Sequence, residues 1–147
     1  MESLQQEMEK LFLDHPDGQE AKKFLDAWNV YVNDIDDIID EKITESEFIL
    51  RAFDRATNLY SMPFYVKNMA MLYYNIKGAH HNYADSCIME KSGIEWQEKQ
   101  ADFLRATSQL TLTVVEILGG YDVRRKLSIA IREDSYNKHH DKDGNRH

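Results

Sequence analysis

The chain has 147 residues, of which 42% are hydrophobic and 30% are charged, and this balance excludes a wholly disordered protein. Its length is sufficient for one domain that buries its own core without metal ions or disulfides as supports. The net charge of -8 argues against a surface that coats nucleic acid, because such a surface needs an excess of Lys and Arg.

The cysteine content and the first residues indicate a reducing compartment. Cys87 is the single cysteine, so the chain forms neither an internal disulfide nor a zinc site built from several cysteines. The opening segment MESLQQEMEK lacks the apolar run of a signal peptide, and no segment is apolar enough to cross a membrane. We therefore expect a cytoplasmic protein that does not enter a membrane.

Helical periodicity predicts an all-α, single-domain bundle of five or six helices over residues 1–136. Gly and Pro are scarce, at 6 and 2 residues, and no segment has the alternating pattern of a strand. Residues 137–147 are polar, and we predict a disordered tail there. We expect its histidines to be solvated rather than bound to a metal ion: His139, His140 and His147.

The first three helices are predicted from capping residues and apolar spacing. Residues 3–14 form a short helix that ends at the breaker HPDG. A capping box at Asp17 opens the second helix, whose apolar stripe continues to Ile39. A second capping box at Thr44 opens a third helix that ends near Tyr60.

The remaining helices are predicted from breakers as much as from apolar spacing. Pro63 suits the first turn of a long fourth helix, with a bend at Gly78. Ser92 caps a fifth helix, and the glycine pair 119–120 ends it. A last helix covers residues 122–136.

Five acids are crowded into the segment DIDDIIDE at the end of the second predicted helix. On a helical wheel, Asp36 lies at the edge of the buried stripe and Asp37 and Asp40 lie beyond it, whereas Asp34 and Glu41 face solvent. Asp36 and Asp40, one turn apart, can direct two carboxylates to one point, which suits a hard cation such as Mg²⁺ or Mn²⁺. The alternative is a solvated helix face.

A second polar cluster lies on the expected apolar line of the fourth helix, in the segment NYADSCIMEK. Asn82, Ser86 and Glu90 recur at every fourth residue, and Asp85 lies beside them. Polar groups on a buried line need hydrogen-bond partners or a ligand. With the acids of the second helix, they predict a Mg²⁺ or Mn²⁺ site between two facing helices. The alternative is a polar patch at a helix end or a dimer seam.

These clusters resemble the two metal motifs of class I isoprenoid and terpene synthases. DDIID has the form of their DDxxD motif, and Asn82, Ser86 and Glu90 have the spacing of their Asn-x3-Ser-x3-Glu motif. In that family both motifs hold Mg²⁺ against a diphosphate, so the resemblance implies metal-dependent diphosphate binding. This chain is shorter than that fold requires, and its two motifs lie closer together.

A second resemblance is to the small all-α nucleoside triphosphate pyrophosphohydrolases. These proteins pair acidic clusters around Mg²⁺ and assemble as dimers or larger oligomers, so the resemblance implies a homo-oligomeric, Mg²⁺-dependent phosphohydrolase. Their Glu-x-x-Glu and Glu-x-x-Asp signatures are matched in spacing by Asp37 with Asp40 and by Asn82 with Asp85.

The peptides HPDG, DDIID, PFY and YADS also resemble peptides of short uncharacterised phage-type proteins, which implies an accessory protein.

Basic residues in the second half of the chain are candidates for phosphate binding. Arg124 and Arg125 follow the glycine pair, and with Arg105 and Arg132 they could bind phosphate oxygens. The alternative is that they pair with the surplus acids of the chain. His81 is a candidate general base.

Two functions remain open from the sequence. In the first, acids on two helices hold Mg²⁺ or Mn²⁺ and the protein binds or hydrolyses a nucleotide-like phosphate or diphosphate compound. In the second, a non-catalytic accessory protein binds a protein partner or a small signalling nucleotide through its aromatic and acidic faces. Acids at buried helix edges favour the first function, and the missing nucleophile elbow and glycine-rich phosphate loop favour the second.

Overall fold

The computed structural model describes residues 2–105 and 108–140, and these residues form helices and no strand, which confirms the predicted all-α fold. No described helix combines the length and the apolar composition of a membrane span. Seven helices are described: α1 (Leu4–Asp14), α2 (Gly18–Ile39), α3 (Ser46–Leu59), α4 (Pro63–Lys67), α5 (Met69–Met89), α6 (Glu95–Arg105) and α7 (Ser108–His139).

The chain divides into two compact units. The N-terminal unit spans Glu9–Met69, and the C-terminal unit contains the described residues of Met1–Met8 and Ala70–His147. The single domain predicted over residues 1–136 stays a prediction.

The core of the N-terminal unit is built on the apolar stripe of α2, against which α3 and α4 pack. Trp28 is 1% exposed, and the ring of Phe24 lies 5.9 Å from that of Phe64 and 6.2 Å from that of Tyr65, between centroids. Burying a large apolar side chain contributes roughly 1.5–3 kcal/mol, so this stripe accounts for much of the stability of α2. The predicted stripe is therefore buried from Ala21 to Tyr31, but its predicted end is wrong, because Ile39 is 48% exposed.

The turn between α1 and α2 brings two backbone segments into close contact. Gly18 is buried, and a Cβ atom at this residue would lie 2.5 Å from the carbonyl carbon of Phe12. The backbone N–H of Asp17 donates to Nδ1 of His15 at 2.9 Å, which closes the turn. The carboxylate of Asp17 binds Lys67 at 2.5 Å and makes no cap hydrogen bond, so the predicted capping box is wrong.

The core of the C-terminal unit is built on α7, which buries apolar residues on both sides of a kink. The hydroxyl of Thr113 donates to Oδ1 of Asn75 in α5 at 3.1 Å. Gly120 has φ 83° and ψ -177°, a conformation that is essentially restricted to glycine, so the predicted glycine break is a kink within α7. Trp96, on α6 of the same unit, is not part of this core and is 62% exposed.

Two helix boundaries differ from those predicted in the first half of the chain. The fourth predicted helix is divided at Asn68, whose side-chain amide donates to the carbonyl oxygen of Phe64 at 3.0 Å, whereas Gly78 lies within α5. The N-cap of α3 is Glu45 rather than Thr44, and it makes no side-chain cap hydrogen bond. At Asn68 the side chain thus binds a backbone carbonyl of the preceding turn, which competes with continuation of the helix.

The second half of the chain also differs in its boundaries. The fifth predicted helix is divided between α6, which ends at Arg105, and α7, which begins at Ser108. At its other end α7 continues to His139, three residues beyond the predicted end at residue 136. Residues 141–147 of the predicted tail, including His147, lie outside the described residues.

Candidate functional site

The acidic segment DIDDIIDE contains the C-terminus of α2, which ends in a Schellman motif. Glu41 has φ 61°, the N–H of Lys42 donates to the carbonyl oxygen of Asp37 at 2.8 Å, and the N–H of Glu41 donates to that of Ile38 at 3.1 Å. A left-handed backbone costs a residue other than glycine about 1–2 kcal/mol. The acids also lie at the helix end where the macrodipole disfavours negative charge.

Replacing Glu41 by glycine is expected to raise the free energy of unfolding by about 0.5–1 kcal/mol. The left-handed conformation costs glycine nothing, and a carboxylate is removed from the negative end of α2, while the greater freedom of glycine in the unfolded chain offsets part of the gain. Urea denaturation measures the change. Glu41→Ala is the control, because it removes the charge and keeps the strain; an equal gain in both variants would contradict the conformational argument.

The five acids of this segment have different surroundings. Asp34 accepts two hydrogen bonds from Nη1 of Arg55 in α3, at 2.8 and 2.7 Å. Its side chain is 15% exposed, so the prediction that Asp34 faces solvent is wrong, because the arginine of a neighbouring helix covers it. Burial of the other acids decreases along the chain: Asp36 and Asp37 are half-buried, and Asp40 and Glu41 are exposed.

The polar cluster of α5 is bound by Arg105 of α6. Nε of Arg105 donates to Oγ of Ser86 at 2.9 Å, and Nη2 donates to Oε2 of Glu90 at 2.6 Å. The guanidinium carbon lies 5.1 Å from the ring centroid of Tyr83, in cation–π geometry. Ser86 is fully buried and the side chain of Arg105 is 5% exposed. Of the polar residues on the predicted buried line, Ser86 alone is buried, and it and the exposed Glu90 both bind Arg105 of the same unit.

This arrangement bears on the predicted metal site. A guanidinium that binds Ser86 and Glu90 disfavours a second cation at the same oxygens, because like charges repel. Asn82 and Asp85, the other members of the cluster, are exposed on α5. Within residues 2–105 and 108–140, no three His, Cys, Asp or Glu side chains are arranged to hold a metal ion. The Mg²⁺ or Mn²⁺ site stays a prediction, and its two groups of residues belong to different units.

Two of the predicted phosphate-binding arginines lie next to the kink of α7. Nη1 of Arg124 lies 3.6 Å from Oε2 of Glu116, and the guanidinium of Arg125 lies 5.8 Å from the ring centroid of Tyr121. The pairing of Arg124 with an acid of the same chain agrees with the alternative interpretation of these residues. It leaves their phosphate binding a prediction.

The candidate base His81 is exposed on α5. Partial desolvation lowers the pKa of its neighbour His80, and the charge of His81 lowers it further. The general-base role of His81 stays a prediction.

A cavity of about 400 Å³ is lined by residues of α6 and of the C-terminal part of α7. The charged residues among its described lining are the cations Lys99, Arg105 and Arg132 and the acid Asp102. The whole chain has a net charge of -8, whereas the charged residues around this cavity are mostly cations. A concave site with clustered cations attracts anions, and guanidinium groups can bind phosphate oxygens in a bidentate manner.

Aromatic rings line the same cavity. The rings of Tyr136 and His140 are stacked, with centroids 4.0 Å apart and an interplanar angle of 9°. Nε2 of His140 lies 3.5 Å from Oδ2 of Asp102, and the imidazole is 8% exposed, whereas the sequence analysis expected it to be solvated. Phe103 is 75% exposed at this cavity. The lining therefore combines cations with apolar ring surface.

Helical spacing accounts for the position of the cavity. Arg105 lies at the end of α6, and three further cavity residues on that helix have the spacing i, i+3, i+4: Lys99, Asp102 and Phe103. Ser108 lies at the start of α7, and near the end of α7 the spacing extends by another turn to the residue after the helix: Arg132, Ser135, Tyr136, His139 and His140. Both arginines of the cavity, Arg105 and Arg132, were predicted from the sequence to bind phosphate, whereas Lys99 and the aromatic residues of the lining were not predicted. These two mixed polar and aromatic stripes are the signal that could have identified the site.

Comparison of the chain with protein-family models, with curated proteins and with solved structures found no match. The resemblances to isoprenoid synthases and to pyrophosphohydrolases therefore remain likenesses of short motifs. The proposed function therefore depends on the chemistry of the described side chains.

Proposed function

We propose that the chain binds a small phosphate-containing molecule, without transforming it, in the cavity of α6 and α7. The observation that supports the proposal is the cluster of Lys99, Arg105 and Arg132 around a concave site in an acidic chain. The proposal belongs to the non-catalytic hypothesis formed from the sequence. Like the metal-dependent hypothesis, it assigns a phosphate compound as the ligand.

The cavity suits a ligand of modest size. A volume of about 400 Å³ lies in the lower part of the range of small-molecule sites, roughly 300–1,000 Å³. The charge of Arg105 is partly offset by its bond to Glu90, and that of Lys99 by its bond to Glu95 at 2.9 Å, so Arg132 carries most of the attraction for an anion. Each charge-assisted hydrogen bond to phosphate contributes about 1.5–3 kcal/mol.

Replacing Arg132 by glutamine is expected to weaken the binding of pyrophosphate by about tenfold or more, because one charge-assisted contact is lost. Isothermal titration calorimetry at constant ionic strength measures this change. Arg51→Gln is the matched control, since Arg51 pairs with Glu47 on α3 and does not line the cavity. Absence of pyrophosphate binding by the wild type, or equal binding by all three proteins, would refute the proposal.

The metal-dependent alternative is tested in the same titration. Pyrophosphate binding to the α6–α7 cavity is expected to be unchanged by EDTA and by the double substitution Asp36→Asn with Asp40→Asn. Binding that requires Mg²⁺ or Mn²⁺ and is lost in the double variant would instead favour the metal site predicted from the sequence. Thermal unfolding with and without the cation provides an independent measure of cation binding to the folded state.

A further inference from the structure

We infer that the ligand of the α6–α7 cavity is a nucleotide, and that its base stacks on Phe103; this inference rests on the proposed function. Phe103 is 75% exposed, although it is a large apolar ring. It lies one helical turn after Lys99, and both side chains line the same cavity. An exposed ring next to a cation suits a molecule that carries a flat apolar face together with a phosphate.

The other rings of the lining extend this surface. Tyr136 is exposed, and its ring is held by the stack with His140, whose imidazole is nearly buried and lies close to Asp102. A ring fixed in this manner loses little conformational freedom when a ligand packs against it. Nucleobases stack readily on aromatic side chains, because every base has a π face.

The cations complete the recognition of a nucleotide. Arg132 lies on the same face of α7 as Tyr136, four residues earlier, just as Lys99 precedes Phe103 by four residues on α6. Each helix thus contributes a cation and, four residues later, an aromatic ring to the cavity, and α6 adds the second cation Arg105. Inorganic phosphate or a sugar phosphate would contact the cations and leave the rings exposed, whereas a mononucleotide contacts both.

The cavity volume limits the ligand to one nucleotide. About 400 Å³ is close to the lower bound of roughly 300 Å³ for small-molecule sites, which leaves little space for a second base. We therefore assign the site to mononucleotides rather than to dinucleotides or oligonucleotides.

The test is a binding panel measured by titration calorimetry on the full chain, with AMP, GMP, UMP, ribose 5-phosphate and pyrophosphate. The wild type is expected to bind at least one mononucleotide about tenfold or more tightly than ribose 5-phosphate, since stacking on an aromatic residue has this effect. Phe103→Leu is expected to reduce that preference to less than about threefold and to leave pyrophosphate binding unchanged. Phe103→Trp keeps a ring and is expected to keep the preference.

The outcomes separate this inference from the proposed function. Equal affinity of the wild type for mononucleotides and ribose 5-phosphate, or a preference that survives in Phe103→Leu, overturns the nucleotide assignment while phosphate binding stands. Pyrophosphate binding that is weakened about tenfold or more in Arg132→Gln, together with a mononucleotide preference that Phe103→Leu removes, supports both. Failure of the wild type to bind any member of the panel overturns both.

Discussion

Replacing Gly18 by alanine is expected to lower the free energy of unfolding of the N-terminal unit by about 3 kcal/mol or more. The added Cβ would lie 2.5 Å from the carbonyl carbon of Phe12 and 2.8 Å from its Cα. These are backbone atoms at the end of α1, and they cannot rotate away as the tip of a flexible side chain can. The turn between α1 and α2 would have to open, and buried contacts of Phe12 would be lost.

Urea denaturation followed by circular dichroism measures this effect, and Gly78→Ala is the matched control. Gly78 lies within α5, and no heavy atom lies within 4 Å of the position that its Cβ would occupy. Alanine there is expected to stabilise the protein by about 0.5–1 kcal/mol, which is its advantage over glycine in a helix interior. A Gly18→Ala variant within about 0.5 kcal/mol of the wild type would contradict the close contact described for this turn.

Replacing Arg105 by methionine is expected to destabilise the C-terminal unit by about 2–3 kcal/mol. The substitution removes hydrogen bonds to Ser86 and Glu90 and the cation–π contact with Tyr83. Removing one partner of a fully buried ion pair costs about 3–5 kcal/mol, and the smaller figure expected here reflects the partial exposure of Glu90, whose carboxylate water can solvate.

Two further variants distinguish the charge from the hydrogen bonds in this network. Glu90→Gln is expected to cost about 0.5–1.5 kcal/mol, because its amide oxygen still accepts from Arg105. Arg105→Lys keeps the charge but cannot donate along the same directions, so its stability should lie between those of the wild type and Arg105→Met. Thermal and urea unfolding provide the measurements. A methionine variant as stable as the wild type would show that desolvation of the arginine outweighs its contacts.

The all-α fold could be predicted because apolar periodicity is a local property that persists over many turns. The stripe of α2 illustrates this, since its predicted apolar positions from Ala21 to Tyr31 are buried. The capping box at Asp17 failed for a non-local reason: Lys67, fifty residues away in sequence, binds the carboxylate that was expected to cap α2. Spacing along one helix contains no information about such a partner.

The candidate site was predicted only in part, again because contacts with another helix cannot be read from the spacing along one helix. Ser86 was recognised as a polar residue on a buried line that needs a partner, which is correct, whereas Glu90 binds the same partner from an exposed position. The partner is Arg105, from the next helix, and the sequence offered no way to choose it over a metal ion. The cavity itself was missed because its residues from Arg132 to His140 mix charged, polar and aromatic side chains, so they form no apolar stripe, and their partners on α6 are distant in sequence.

The two tryptophans differ in solvent exposure, and this difference has a spectroscopic consequence. Trp28 is 1% exposed in the N-terminal unit, and Trp96 is 62% exposed on α6 of the C-terminal unit. The indole of Trp28 should emit at short wavelength and resist quenching by iodide, whereas that of Trp96 should emit at long wavelength and be quenched readily. Intrinsic fluorescence therefore contains one reporter for each unit, so that the loss of the N-terminal core can be followed separately from events on the helix that carries Lys99 and Phe103.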